Sequence, residues 1–296
     1  MRGFWGGLVI VILIQQVAFA NPATFLDMVP GARPSGMGSA FTALADDANG
    51  VFFNPAGLTN MDLNTFEATG SLGFLSHDRF NNFLSLYEQL PPKNYLGFNV
   101  TQFGVGKIPG TDSNGLPTGN LEDMELAFGV AYAYDLDYHF KAGINLSFLY
   151  QDLTGVTALG FGGADIGVLF VPTVLYDFTL GASVRHLGGF LSWKDGSNQA
   201  FTPDMRVGAA LKLFHQSLIL AYDADRYIQY DNTIRHHVGG ELWIQNMVAL
   251  RGGVDNSNPT FGASFRYQNY GLDYSYEFQF KDGLGDSQRL GADLFF

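Results

Sequence analysis

From residue 66 onward, apolar and polar residues alternate with a period of two, the spacing of a β-strand whose side chains point to opposite faces. Over residues 140–150 one face carries Phe140, Ala142, Ile144, Leu146, Phe148 and Tyr150, and the other Lys141, Gly143, Asn145 and Ser147. Over 270–281 one face is Tyr270, Leu272, Tyr274, Tyr276, Phe278 and Phe280; the other is Gly271, Asp273, Ser275, Glu277, Gln279 and Lys281. The pattern recurs over 126–136, 178–185, 207–213 and 261–268. It predicts about fourteen strands, centred near residues 70, 85, 98, 130, 145, 166, 183, 208, 221, 239, 250, 263, 275 and 292. Segments of about ten residues with one apolar face suit a tilted strand that crosses a bilayer.

A soluble sandwich also alternates, so the polar face has to discriminate. By parity, Gly97, Gly129, Gly143, Gly167, Gly181, Gly208, Gly239, Gly253, Gly262, Gly271 and Gly291 all fall there, interleaved with charges. Glycine on that face eases curvature and lets another backbone approach closely, which a lumen holding an inserted segment needs and a watery sandwich surface does not. The connections agree. Odd ones, including 105–122, 188–203, 227–234 and 281–287, read as long loops rich in Gly, Asp, Asn and Ser. Even ones are tight, near Pro91-Pro92-Lys93, Asp137, His215, Gln245-Asn246 and Gln268-Asn269. Long external loops alternating with short periplasmic turns are the outer-membrane pattern. The predicted fold is therefore all-β: a transmembrane antiparallel β-barrel over 66–296, with both sheet ends on the periplasmic side.

Residues 1–20 read as a signal peptide, with Arg2, an apolar run from Leu8 to Ile14, and Ala18-Phe19-Ala20 as a cleavage site before Asn21. The run is too short to span, and no later stretch reaches about 18 consecutive apolar residues. Charged residues make up 15% of the 296, aromatics another 15%, and the formal net charge is −12. That balance gives no positive footprint for nucleic acid. With no cysteine, a thiol nucleophile and a disulfide framework are excluded. No cofactor is expected. The six histidines are scattered, and His236 and His237 point to opposite faces, which prevents joint chelation. Asp112-Ser113-Asn114-Gly115 reads as a solvated turn, since the later Glu of a calcium loop is missing. Ser183 and His186 have opposite parity, a poor basis for a hydrolase.

Residues 21–65 do not alternate. Phe25 to Arg33 opens extended and is broken by Pro30 and Gly31; Ala40 to Ala48 is a short helix candidate with Ser39 as N-cap, ended by Asp46-Asp47 and Asn49-Gly50. A fourteen-stranded barrel leaves space that something must fill, and this segment is of a size to be an N-terminal plug inside it. Its motifs, Pro30-Gly-Ala-Arg-x-x-Gly36-Met37-Gly38-x-Ala, Ala45-Asp-Asp-Ala48 and Asn54-Pro55-Ala56-Gly57-Leu58, resemble the N-terminal motif of the PorV/PorQ family. Those proteins belong with the FadL-type outer-membrane transporters of hydrophobic compounds.

The resemblance implies a plug and gate at Gly36, Met37, Gly38, Asn54, Pro55 and Ala56, close to a lateral opening. We place that opening beside residues 94–104, where Gly97, Gly104 and Gly106 would weaken the wall. It also implies two functional classes: a passive conduit for small hydrophobic compounds, or a docking barrel handling exported proteins in type IX secretion. The loops are short for a large ligand-collecting surface.

Arg289-x-Gly291-x-x-Leu294-x-Phe296 resembles the C-terminal signal read by the barrel assembly machinery. Glu241, Arg251, Arg266, Asp273, Glu277, Arg289 and Asp293 read as a lumenal charge lattice, since opposite signs are interspersed. The expected partners are outer-membrane lipid, that assembly machinery, and hydrophobic small molecules or exported proteins.

Overall fold

The computed structural model describes residues 24–61, 66–137, 139–172, 177–228, 233–280 and 285–296. The predicted signal peptide and its cleavage point before Asn21 lie outside the described residues.

Fourteen strands form one closed antiparallel wall. In chain order these are β1 (Phe66–Leu75), β2 (Arg79–Leu90), β3 (Asn94–Thr111), β4 (Pro117–Asp135), β5 (Phe140–Leu153), β6 (Val156–Phe170) and β7 (Phe178–Leu187). Then come β10 (Asp204–Leu213), β11 (Leu218–Tyr227), β12 (Arg235–Ile244), β13 (Val248–Asp255), β14 (Asn258–Tyr267), β15 (Tyr270–Glu277) and β16 (Ser287–Phe295). Each expected strand centre falls inside one of them. Two short strands, β8 (Phe190–Trp193) and β9 (Asn198–Ala200), form a hairpin outside this ring. The wall closes where β1 pairs with β16 in register from Glu67↔Phe295 to Leu75↔Ser287. Beyond it, Phe66 and Phe296 exchange backbone hydrogen bonds of 2.8 and 2.9 Å.

Alternation sets the two faces. Leu146 and Phe148 face outward and Asn145 and Ser147 are buried inside. The outer surface is a belt of exposed Leu, Phe, Tyr, Ile and Val, as lipid contact requires. His236 faces outward against the Tyr222 ring, while His237 is buried in the lumen. The Gln245-Asn246 turn has both residues at φ 53°, the left-handed pair that matches the twist of a two-residue hairpin.

Two long loops turn out to be sheet. Residues 105–122 are mostly extensions of β3 and β4, which run 18 and 19 residues and leave a turn of 112–116. These strands exceed the ~10 residues that suffice to cross a bilayer, so they are long enough to extend past one. In that turn the Asp112 carboxylate accepts the N–H groups of Leu116 and Asn114, which hold it below the usual carboxylate range. The span 188–203 contains the β8–β9 hairpin, which pairs along Ala158–Phe161 of β6 where β7 has ended. Not every odd connection is long: 76–78, 154–155 and 256–257 are tight turns. The expected loops 227–234 and 281–287 lie partly outside the described residues.

The expected weak wall near 94–104 is absent. β3 pairs without a break to β2 and β4 over Asn94–Val105. Gly97 makes room for Leu58, and Gly104 lies under the Phe80 ring, so both glycines serve packing. Irregularity falls on β6 instead, with register shifts against β5 at Ser147/Phe148 and against β7 at Ala164/Ile166. Beside it His186 takes a left-handed φ of 61°, so the strict parity read for Ser183 and His186 fails and both are buried.

Candidate functional site: the lumenal segment and the inner wall

Residues 24–61 lie inside the barrel, folded as short turns: a 3₁₀ turn (Thr24–Asp27), α1 (Ala32–Gly36), α2 (Gly50–Phe53) and a second 3₁₀ turn (Pro55–Asn60). Neither the extended start nor the helix expected at 40–48 forms. Gly38 and Ser39 take left-handed φ values of 60° and 64°, and the wall residue Asp223 accepts the N–H groups of Phe41 and Thr42, both at 2.9 Å. These are first-turn donors that the Ser39 side chain would cap in a helix; here the wall takes them, and the left-handed φ at Ser39 is not that of an N-cap. Ser39 donates its hydroxyl to Asp255 rather than capping a helix.

The lumenal glycines trace the path of this segment. A methyl group on Gly239 would lie 2.2 Å from the Met37 carbonyl oxygen, and one on Gly253 2.5 Å from the Gly38 nitrogen. Gly36 lies against Gly262 in the same way, which packs Gly36, Met37 and Gly38 onto β12, β13 and β14. The Asn-Pro-Ala motif docks on the opposite wall. A methyl on Gly143 would meet Pro55 at 2.4 Å, and one on Gly167 would meet the Asn54 side chain. Asn54 donates from Nδ2 to Thr42 O at 3.0 Å and Val168 O at 3.1 Å, and its Oδ1 accepts from the Ala56 N–H. Asn54 thus joins two stretches of the segment to β6. Ala56 sits on β5, while Leu58 of the same turn packs on Gly97 of β3, among the strands around 94–104 where the motif was expected.

Arg33 ties the segment to the charged wall. Its Nε and Nη2 form a two-pronged pair with Glu241, both at 2.8 Å, while Nη1 reaches Asp46 and Asp47 at 2.7 Å each. Lys212 completes Asp46 at 2.8 Å, so Asp46-Asp47 is a binding pair and not a mere helix end. Glu241 continues to Arg251 (2.5 Å), and Arg251 to Asp273 (2.9 Å). Of the residues read as a lattice, these three form one chain and Arg289 and Glu277 a separate pair. Arg289 lies 3.8 Å from Glu277 and donates to Ser35 of the segment at 2.8 Å, and Asp293 accepts from Thr69. Among the described residues no carboxylate lies within ion-pair distance of Arg266, whose guanidinium lies over the Trp243 and Phe295 rings.

A second network, toward the end of the barrel that carries the β8–β9 hairpin, was not foreseen. Arg185 pairs with Asp204 at 2.7 Å and lies 3.7 Å from Asp27 of the segment. Arg235 pairs with Asp225, which His237 also contacts, and His237 reaches Asp255 at 3.0 Å. Arg206 donates to the Ser39 carbonyl. Parity along β7 and β10–β12 places these wall groups inside, so the alternation carries a signal for them too.

The inner wall of β2–β5 mixes apolar groups with mostly uncharged polar ones: Asn81, Ser85, Asn99, Thr101, Asn145 and Ser147 are buried there, beside the Glu125 carboxyl. Phe83, Tyr87, Tyr95, Ala131 and Ala133 surround Leu58, Val51 and Met61 in one cluster. Phe103, Ala127, Leu149 and Leu191 surround Phe25 and Leu26 in another. The lumen is therefore two-sided in charge: ion pairs gather on β7 and β10–β16, whereas β2–β5 present two apolar clusters among neutral polar groups, with few charges such as Glu125 and Lys141.

At the chain end, Arg289 and Gly291 face the lumen, whereas Leu294 and Phe296 face outward.

No family model matches the chain, and no curated protein does. Solved structures do. The chain is similar to the Pseudomonas putida toluene transporter TodX (TM-score 0.67, 15% identity, covering 90% of this chain and 96% of that one). It is similar to the Ralstonia pickettii toluene transporter TbuX (0.64, 15%, 90% and 97%) and to a Pseudomonas aeruginosa FadL homologue (0.60, 11%, 90% and 98%). Fourteen strands closed around an N-terminal segment give this chain the fold of the FadL-type outer-membrane barrels.

Proposed function

We propose that the protein is an outer-membrane conduit for small hydrophobic compounds, with residues 24–61 as the gate. The observation that carries this reading is the two-sided lumen. A segment anchored by ion pairs to β7 and β10–β13, and held on the other side by apolar packing against Phe83, Tyr87, Tyr95 and Phe103 and by the Lys141 hydrogen bonds to Thr59 and Asn60, can loosen on that side while its ion pairs hold. A hydrophobic molecule entering along that side meets rings, aliphatic groups and neutral polar groups, with few charges. The fold neighbours named as toluene transporters support toluene-like compounds as the substrate class. Tight turns at one end and the β8–β9 hairpin at the other support a periplasmic position for both sheet ends. The Leu294 and Phe296 pattern supports delivery by the barrel assembly machinery.

One observation favours a second reading. Met37, Ala40, Phe41 and Asn54 have no exposed surface, so the segment is packed as tightly as a structural core. A docking barrel for exported proteins of the type IX kind, as the PorV/PorQ resemblance implies, would need no more than that. The test is uptake of labelled toluene by Gram-negative cells lacking their own channel for it. Expression of this chain should raise the uptake rate, and weakening the apolar packing by F103A should raise it further. Unchanged uptake, with an exported protein co-purifying, would replace the conduit by the docking barrel.

A further inference from the structure

At the tight-turn end of the barrel, between the lumenal segment and the wall, lies a cavity of about 540 Å³. Its charges are not equally occupied. Arg33 is saturated by Asp46, Asp47 and Glu241, and Lys212 by Asp46. Arg266, on β14, is different. Its guanidinium carbon lies 4.8 Å from the Trp243 ring centre and 4.6 Å from that of Phe295, so the planar group is held between two aromatic faces. Among the described residues no carboxylate lies within ion-pair distance of it. Three acids share the cavity: Asp46 and Asp47, taken up by Arg33 and Lys212, and Glu67, which is turned toward the Ala48 N–H and accepts it at 3.1 Å.

A guanidinium stacked on both faces keeps only its edge for binding. That edge is a fork of parallel N–H groups matching the two oxygens of a carboxylate. The rings fix the fork before any ligand arrives, which lowers the ordering cost of binding. Trp243, Phe295, Ile219 and Met61 supply an apolar surface for the body of a ligand. Glu67 and Asp47, on the same cavity, disfavour a second negative group. We propose that this cavity binds a small organic monocarboxylate, with its carboxylate on the Arg266 fork and its apolar body against Trp243 and Phe295. The site stands apart from whatever crosses the barrel, because it rests on the turn-end cavity and not on the β2–β5 face.

Sodium benzoate is the probe, titrated calorimetrically into the full chain in detergent at low ionic strength, with benzamide as the neutral counterpart. One saturable benzoate site is expected, weakened at least tenfold in R266Q and weakened also in R266K, which keeps the charge but loses the fork. Benzamide should not bind measurably. Unheated gel migration of each variant checks that its barrel is intact; in a variant that fails this check, protection of Trp243 fluorescence from acrylamide by benzoate in the unmutated protein is read instead, and protection is expected. Absence of saturable binding or protection in the unmutated protein, equal benzoate affinity in folded R266Q, or equal affinity for benzamide would each overturn the proposal.

Discussion

At the scale of single residues, the account turns on side chains that are missing and on one that is fully used. Gly239 gives the Met37 carbonyl its place, so Gly239→Ala must displace the segment, whereas the neighbouring outward Gly240 has no close contact under about 3.6 Å. G239A should lower the heat-modifiable fraction or the unfolding midpoint and raise protease cleavage within 24–61, and G240A should do neither. Arg33 is 5% exposed and binds three carboxylates. Removing it leaves Asp47 buried without a counter-ion and Asp46 and Glu241 with only Lys212 and Arg251, a change of about 3–5 kcal/mol, so R33M should unfold at distinctly lower denaturant than the unmutated protein. Adding E241Q to R33M should recover part of that loss. The lumenal glycines were readable because period two assigns each a face. Arg33 and its partners Asp46 and Asp47 were not, since they lie in a stretch with no period. Asn145 shows the limit of parity: its inward position follows from alternation, but its bonds to Asn99 and Asp165 do not.

At the scale of elements, outward alternation predicts the response to charge in the lipid belt. Leu146→Arg, near the middle of β5, should cost about 2–4 kcal/mol and reduce assembly, measured as the folded band on unheated gels. Equal assembly of L146R and the unmutated protein would show the faces reversed. Strand positions were legible throughout, because ten-residue alternating segments separated by Gly, Asn and Asp leave little choice of register. Loop structure was less so. Residues 105–122 and 188–203 carry the polar, glycine-rich composition of loops yet pair as strands, since backbone hydrogen bonds of a hairpin need no apolar side chain. The β8–β9 hairpin covers the cluster of Phe25, Phe103, Leu191 and Phe201. Replacing 190–200 by a short Gly-Ser turn should leave the barrel assembled but increase binding of a hydrophobic fluorescent dye.

At the scale of the whole molecule, the segment is fastened at two heights. Arg33 joins it to Glu241 toward the tight turns, and Asp223, Asp255 and Arg206 hold Phe41, Thr42 and Ser39 toward the other end. All of these anchors lie on β10–β13, whereas β5 contributes Lys141, which donates to Thr59 O and Asn60 Oδ1, and β2–β4 contribute mainly apolar contacts. An emptied fourteen-stranded barrel stands between a side-chain-filled one and a water-filled porin, so occupancy of its lumen decides whether ions pass. The most direct test is single-channel conductance in planar bilayers of the full chain and of a variant lacking residues 24–61. The account predicts little steady conductance for the full chain and a several-fold larger, stable conductance for the deletion variant, with both running as folded barrels on unheated gels. Equal conductance of two folded barrels would contradict a segment that occupies the lumen.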